Sequence, residues 1–326
     1  MINVTRKMYH RRFNMLNGLL IILSLSVAAY GQESTQYMDP FGNFSIGARN
    51  ISLANSNVSE SYDVSSIYEN PATLAFMESA SLFLNHSQGA QSNGTEESIA
   101  YPVFLPSSMM IAFGGELYQM GHLPQSAHQQ LMELGLDVAF AGTITPTLSF
   151  GGTVSMRNGT ANNWWVNGAP GNIKSQAWGA FYSFGLDYAP TGDVSYGLVF
   201  NGLGTDIFYI PWSNASPLIL ESAEMTRALT LGASMRYPSS ESLRNPILVL
   251  SIASEKMFGT KGIFYKGGIE ARPIEFLQIR FGYVMGPGVA EPRYGLGVVE
   301  HLISVEYAVY PQASIMFQQF SFSVDF

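Results

Sequence analysis

The sequence of 326 residues contains no cysteine, and only 12% of its residues are charged. Soluble domains usually carry about twice that share of charge. Beyond the N-terminal region, no apolar run reaches the ~18 residues that a membrane-spanning helix needs. Without cysteine, disulfides and cysteine-based zinc sites are excluded. These absences disfavour an ordinary soluble protein and a helical membrane protein.

Motifs for catalysis and metal binding are also missing. The five histidines, at positions 10, 86, 122, 128 and 301, share no metal-ligand spacing. There is no Gly-x-Ser-x-Gly elbow and no glycine-rich phosphate loop. His301 near Ser304 comes nearest to a catalytic pair, but both lie on a predicted ordinary strand. We therefore expect no catalytic residue, no metal and no cofactor.

The N-terminus has the layout of a Sec-type signal peptide. Four basic residues precede an apolar run from about Leu16 to Ala29, and Ala29-Tyr30-Gly31 supplies small residues for cleavage. We expect residues 1–31 to be the signal peptide; an uncleaved anchor is the alternative, disfavoured by the short apolar run. Removing four basic and no acidic residues changes the formal charge from −8 to −12. Such an acidic chain argues against nucleic acid as a partner.

The abundant feature of this sequence is the alternation of apolar with polar or small side chains. From about Ala80 to Phe326, segments of 9–16 residues alternate apolar and polar or small side chains with a period of two. One face of the clearest segment carries Trp178, Ala180, Tyr182, Phe184, Leu186 and Tyr188. Aromatic residues at both ends of an apolar stripe are typical of a strand that crosses a membrane. A soluble β-sandwich is the alternative, disfavoured by the signal peptide and the low charge.

Counting the segments predicts an all-β fold, a transmembrane antiparallel barrel of about 14 strands. The strands would begin near residues 80, 94, 106, 132, 146, 175, 193, 223, 246, 262, 275, 291, 300 and 314. The three longest gaps, 119–131, 158–174 and 204–222, all fall on the outer side, while most inner gaps are one or two residues. Residues 32–79 lack alternation, and we expect them to form an N-terminal plug, with the barrel spanning 80–326.

Two groups of residues are candidates for binding. Six charged residues alternate onto the predicted lumen face, where they could line a polar path or pair with one another and hold the plug: Arg236, Lys266, Glu270, Arg272, Arg280 and Glu306. Aromatic residues cluster in two predicted outer loops, where they could contact a partner or join the aromatic girdle of the outer leaflet. These are Trp164, Trp165, Phe208, Tyr209 and Trp212.

The C-terminus ends in an apolar stripe. Phe320, Phe322, Val324 and Phe326 share one face of the last predicted strand, and the chain stops on an aromatic residue. This pattern resembles the C-terminal signal by which the outer-membrane assembly machinery recognises barrel precursors. The resemblance implies that machinery, and outer-membrane lipid, as partners.

The segment before the barrel carries a more specific resemblance. Gly47-Ala48-Arg49 is followed by Asp63-Val64-Ser65-Ser66-Ile67-Tyr68-Glu69-Asn70-Pro71-Ala72-Thr73-Leu74-Ala75. This is similar to the opening motif of the PorV/PorQ branch of the FadL-like outer-membrane barrels, with Gly47, Ala48, Arg49, Asp63, Asn70, Pro71 and Ala72 as motif positions. Where that branch usually carries Gly-Gly or Gly-Glu shortly before its Asp pair, this chain has Ala54-Asn55-Ser56-Asn57 and Ser61-Tyr62-Asp63. The plug backbone is therefore expected to differ locally, because glycine enters positive φ most easily.

The resemblance implies three functions in order of preference. The first is a non-enzymatic role in type IX-like protein secretion or surface anchoring, in which the outer loops bind secreted or surface proteins. The second is FadL-like transport of hydrophobic small molecules through a plugged barrel. The third is a general porin, which fits a plug poorly. All three place the protein in the bacterial outer membrane.

Overall fold

The computed structural model describes the barrel wall and most of the segment before it. Predicted features in residues 1–44, including the signal peptide, lie outside the described residues. Within the described part, no helix is long and apolar enough to cross a membrane. The described residues are 45–60, 63–89, 94–106, 108–120, 130–162, 165–166, 169–170, 174–205, 207–211, 221–223, 227–237, 247–312 and 315–326.

Fourteen antiparallel strands form a closed barrel, which confirms the predicted fold class. Consecutive strands pair in chain order, and the first pairs with the last, with Ser81 opposite Asp325. Closure leaves no free sheet edge, as a lipid environment requires. The strands are β1 Ser81–Gly89, β2 Gly94–Leu105, β3 Met109–Met120, β4 Gln130–Thr145, β5 Leu148–Asn162, β6 Lys174–Thr191, β7 Val194–Gly204, β8 Ala228–Tyr237, β9 Leu248–Met257, β10 Phe264–Ile274, β11 Leu277–Gly286, β12 Val289–Glu300, β13 Ile303–Gln312 and β14 Ile315–Asp325.

The two ends of the barrel differ in their connections. We call the end where β1 begins and β14 ends the periplasmic end, because short connections face the periplasm in barrels of this class, and the opposite end the outer end. Most periplasmic connections have two or three residues, whereas the two longest connections, 205–227 and 163–173, lie at the outer end. The prediction that the three longest connections all lie at the outer end needs one correction. The periplasmic connection 238–247 has ten residues and exceeds the nine of 121–129 at the outer end.

Alternation separates two faces of the wall. In β8, Thr230, Ser234 and Arg236 are buried, whereas Leu231 and Met235 on the other face are partly exposed. The outward face of other strands is apolar and exposed, as at Leu186, Phe281, Leu296 and Val305. Each strand therefore turns its apolar stripe outward and its small or polar residues into the lumen.

Residues 45–79, which we call the plug, lie inside the barrel. They contain one short α-helix, Ala48–Ser52, and two 3₁₀ helices, Val64–Ile67 and Pro71–Phe76. Apolar plug residues such as Val64 and Leu74 pack in one cluster with β1 to β4, through Phe83, Ala100, Met110, Ala112, Ala139 and Ala141. Hydrogen bonds join the plug to the opposite wall through Ser195, Ser234, Ser251, Glu270 and Ser321. A segment held by walls on opposite sides fills the lumen between them.

The plug helix ends in two left-handed residues that are not glycine. Ala54 has φ 59° and Asn55 has φ 53°, and the Asn55 N–H donates to the Asn50 carbonyl at 2.8 Å. The backbone therefore enters positive φ here without glycine, and whether it differs from the backbone of the similar family stays a prediction. A left-handed alanine costs about 1 kcal/mol, and the buried surroundings of Ala54 maintain it.

Candidate functional site: a plugged lumen with an outer cavity

The Asn70-Pro71-Ala72 turn fixes the plug to the wall. The Asn70 carboxamide oxygen accepts the N–H of Ala72 at 3.1 Å, and its amide nitrogen donates to the Val58 carbonyl at 2.8 Å. Pro71 occupies the first turn of the 3₁₀ helix, where no backbone donor is needed. Glycine is required opposite, because a Cβ at Gly185 would lie 2.0 Å from the Asn70 carboxamide oxygen.

The other motif positions also anchor the plug. Gly47 precedes the α-helix with φ 103°, a conformation that glycine adopts without strain. The Ala48 N–H donates to the Ser321 hydroxyl of β14 at 2.7 Å. Asp63 caps the first 3₁₀ helix, accepting the Ser65 N–H at 2.8 Å. The motif residues therefore stabilise the plug and its attachment.

Arg49 begins a chain of ion pairs that we call the plug lock. Its Nε lies 2.9 Å from Glu270 on β10, and its guanidinium also pairs with Glu60 of the plug. Glu60 in turn pairs with Arg236 at 3.2 Å. Arg280 lies 2.7 Å from Glu270 and 2.8 Å from Glu306. The plug lock consists of Arg49, Glu60, Arg236, Glu270, Arg280 and Glu306.

Of the six predicted lumen charges, four therefore belong to one network. Arg236, Arg280 and Glu306 lie near the periplasmic ends of their strands, as does Glu270. Lys266 lies in the outer half of β10 and pairs with Glu255 at 2.8 Å. In the periplasmic half, these lumen charges therefore pair with one another and with the plug.

The outer half of the lumen contains a cavity of about 270 Å³ between the plug and strands β7 to β12, which we call the outer cavity. Its apolar lining includes Val199, Val284 and Val289 of the wall. Its polar lining includes Thr230, Glu255, Lys266 and Arg293 of the wall, with Tyr68 and Glu69 of the plug. The volume is near the lower end of small-molecule pockets, so the cavity suits a compact ligand with an apolar body and one polar group.

Two charged groups of the outer cavity stand out. The Nε and Nη1 atoms of Arg293 are buried without a hydrogen-bond partner among the described residues, and its guanidinium carbon lies 5.5 Å from the Tyr310 ring centroid. Burial raises the pKa of the plug residue Glu69 to about 7, against the opposing effect of Lys266. The cavity therefore offers a cation that favours an anionic or hydrogen-bonding partner.

Sequence reasoning missed a second charged cluster in the outer half. Arg157 of β5 is 2.8 Å from Glu116, 3.1 Å from Asp137 and 3.5 Å from Glu133, and the buried Glu96 lies on the same lumen face. The signal was present, because Glu133, Gly135 and Asp137 alternate with Met132, Leu134, Leu136 and Val138. Among the residues that the structure describes, no acidic or histidine cluster is arranged to hold a metal ion.

The remaining predicted site residues are absent from the ion pairs of the plug lock or lie outside the described residues. Arg272 lies near the periplasmic end of β10, where its N–H donates to the Ile247 carbonyl at 2.8 Å. Trp165 begins a two-residue strand that pairs with Ala169–Pro170. Phe208 and Tyr209 lie in Ile207–Pro211, a short strand paired with β6. Trp164 and Trp212 lie outside the described residues.

The C-terminal stripe faces outward. Phe320 and Phe322 are exposed on the outer face of β14, Val324 is half-buried, and Phe326 is exposed at the end of the chain. Phe320 packs against Tyr307 of β13 with ring centroids 4.8 Å apart. The stripe therefore forms part of the apolar outer surface.

Comparison with known proteins identifies solved structures with a similar fold. No protein-family model and no curated protein matches the chain. Among solved structures, the toluene transporter TodX of Pseudomonas putida is similar over 88% of this chain and 99% of its own, with a TM-score of 0.61 and 14% identity.

Two further structures agree. The toluene transporter TbuX of Ralstonia pickettii gives a TM-score of 0.60 at 15% identity, over 89% of this chain and 100% of its own. A FadL homologue of Pseudomonas aeruginosa gives 0.57 at 11% identity, over 90% of this chain and 99% of its own. The chain therefore shares the barrel fold of these two toluene transporters and of the FadL homologue. The PorV/PorQ branch is not distinguished by these comparisons.

Proposed function

We propose that this protein is a non-enzymatic outer-membrane channel that takes up small hydrophobic or amphipathic molecules, binding them first in the outer cavity. The observation that carries this proposal is the outer cavity, with valine side chains beside Lys266 and Arg293. A mixed lining of this kind binds the apolar body of a ligand and orients its polar end. The names of the structural neighbours, toluene transporters and a monoaromatic hydrocarbon channel, agree with such a ligand.

The plug lock supports uptake of selected molecules over general diffusion. A general porin keeps an open aqueous lumen, whereas here the plug pairs with the wall through Glu270 and Arg236. A ligand leaving the outer cavity therefore has to displace plug contacts or cross the wall. Selection by binding in the cavity precedes that step.

The proposal is tested by filling the outer cavity. Val284 is buried and lines the cavity, so Val284→Trp should occupy its space. We expect toluene uptake into proteoliposomes to fall by roughly tenfold, equivalent to about 1.4 kcal/mol of binding. Val305→Trp, on the exposed outer face of β13, is the matched control and should retain uptake.

Both variants are first checked for assembly by the heat-modifiable gel shift of a closed barrel. If assembled Val284→Trp transports toluene as well as the control, the cavity is not the uptake site. If the wild-type barrel transports neither toluene nor a short-chain fatty acid above an empty-liposome background, the proposal is wrong.

The secretion hypothesis remains a second prediction, based on the N-terminal motif from Gly47 to Ala75. Under that hypothesis, deleting the outer connection 163–173, within the loop that the sequence predicts at 158–174, should leave the barrel assembled and abolish co-purification of exported proteins. Loops on a rigid scaffold concentrate binding residues, and Trp164 with Trp165 would then be interface anchors. Uptake of toluene should be unaffected by that deletion if transport is the function.

A further inference from the structure

An apolar groove crosses the outward face of the barrel wall, separate from the outer cavity. It has a volume of about 400 Å³ and spans strands β7 to β11, and we call it the wall groove. One row of register partners crosses all five strands through it, in the order Tyr196, Ala233, Ile252, Gly267 and Tyr283. The row places two small residues between bulky ones, which makes a recess in an otherwise even apolar surface.

The recess is open at Gly267. A Cβ built at this residue would have no atom within 4 Å. The tyrosines at both ends of the row, together with Met235, Leu250 and Phe281, form the sides of the groove. A void of this size beside hydrocarbon forfeits dispersion contacts along its whole lining, so a well-fitting apolar chain is favoured there.

The plug prevents the groove from closing. On the inner side of the same wall, a Cβ at Gly282 would lie 2.5 Å from the Ala54 nitrogen, and one at Gly268 would lie 2.8 Å from the Leu53 carbonyl oxygen. A Cβ at Gly197 would lie 2.8 Å from the Val58 carbonyl oxygen. Because plug backbone packs directly against the glycine-rich wall, the wall cannot move inward to fill the recess. The groove is therefore pre-formed.

The position of the groove selects its occupant. Val194 is the first residue of β7 and Met235 lies near the end of β8, so the groove begins at the periplasmic end. The exposed Tyr188 and Tyr237 lie beside it at that end, where aromatic residues mark the level of lipid head groups. An acyl chain that enters the hydrocarbon region from those head groups belongs to a phospholipid of the periplasmic leaflet.

We propose that the wall groove binds one acyl chain of a phospholipid from the periplasmic leaflet. This site is independent of the transport proposal, because its row from Tyr196 to Tyr283 lies on the outward face and its lining shares no residue with the outer cavity. The bound chain completes the surface of β7 to β11 where Ala233 and Gly267 leave it incomplete. The head group would lie beside Tyr188 and Tyr237.

The test compares phospholipid retention by intact barrels. The full-length protein is expressed in a bacterial host, extracted from outer membranes in mild detergent and analysed by native mass spectrometry. We expect wild-type protein to retain one phospholipid, and Gly267→Trp, which fills the open recess, to retain at least about tenfold less. Val305→Trp adds the same side chain to the outward face of β13 and should retain the lipid. If Gly267→Trp does not assemble, Ala233→Phe tests the same groove.

Three results would overturn the proposal. They are wild-type protein without phospholipid, equal retention by an assembled groove variant and the control, and a retained mass that corresponds only to detergent or to lipopolysaccharide. A second readout uses phospholipid carrying a spin label on its acyl chain in reconstituted bilayers. The immobilised fraction should fall in the groove variant and remain unchanged in the control.

Discussion

The periplasmic and outer halves of the lumen use charge in different ways. In the periplasmic half, Glu60 of the plug and Glu270 of the wall each pair with two arginines, and Arg49 of the plug pairs with both carboxylates. At the outer cavity, Lys266 pairs with Glu255, and Arg293 has two nitrogens without a hydrogen-bond partner among the described residues. Paired charges hold the plug, whereas the outer cavity leaves polar groups available beside valines, although the outer half also contains the paired Arg157 cluster.

This difference shows how one barrel can combine closure with binding. A network of buried ion pairs is costly to break, because removing one partner leaves an uncompensated charge. By contrast, a cation in a cavity with both apolar and polar lining is stabilised when a ligand supplies its partner. The following predictions test whether the two halves differ in this way.

The largest effect is expected from the plug lock. Arg49→Ala leaves Glu60 and Glu270 each short of a partner and should destabilise plug docking by roughly 3–5 kcal/mol. Hydrogen exchange of residues 45–60 in reconstituted protein measures this change. Arg293→Ala in the outer half is the control and should change exchange little. Similar losses in both variants would show that the halves do not differ in function.

The comparison also depends on the assignment of lumen and lipid faces. Leu231→Arg places a cation against hydrocarbon and should cost roughly 2–4 kcal/mol near the bilayer midplane. Thr230→Arg, one residue away, points into the outer cavity near Glu255 and should cost much less. Urea unfolding of the reconstituted barrel gives both values, and equal costs would contradict the assigned register.

A smaller loss is expected at the plug turn. Asn70→Ala removes the cap of the Pro71–Phe76 helix, and a lost cap costs about 0.5–2 kcal/mol. Plug exchange should increase while the barrel still migrates as a folded species. Asn50→Ala, also in the plug, tests whether any lost plug carboxamide has the same effect near residues 70–76. Faster exchange there in both variants would argue against a specific role for the turn.

A further effect is expected across pH in the outer half. The folded pKa of Glu69, raised to about 7 by burial, exceeds its ordinary value of 4.5. The native state then binds more protons than the unfolded state between those values, so plug stability should fall as pH rises from about 5 to about 7. Glu69→Gln should weaken this dependence, measured as plug exchange at several pH values. An unchanged pH profile would exclude Glu69 as its source.

Much of the barrel could be read from the sequence because the wall meets two different phases. In β8 and β11 every second residue faces hydrocarbon, so alternation alone identifies strand, face and approximate start. The same logic placed Arg236, Arg280 and Glu306 on the lumen face. Alternation could also have placed the missed cluster on the lumen face, since Glu133 and Asp137 follow the same pattern around Gly135.

The pairing of these charges could not be read in this way. Arg49 and Glu270 are 221 positions apart, and local patterns carry no information about which distant side chains meet inside a closed barrel. The left-handed Ala54 and Asn55 were likewise unpredictable, because surrounding tertiary contacts override local preference.

The sequence by itself determined a membrane barrel, its strand order and the two faces of its wall, because a period of two is imposed locally by lipid on one side. Only the tertiary structure decided that the charges form a lock in one half and border a cavity in the other. It also decided that glycines such as Gly185 and Gly282 face plug atoms, while Gly267 faces an open recess. Closure of the sheet brings distant residues together, and the plug determines which of them find partners.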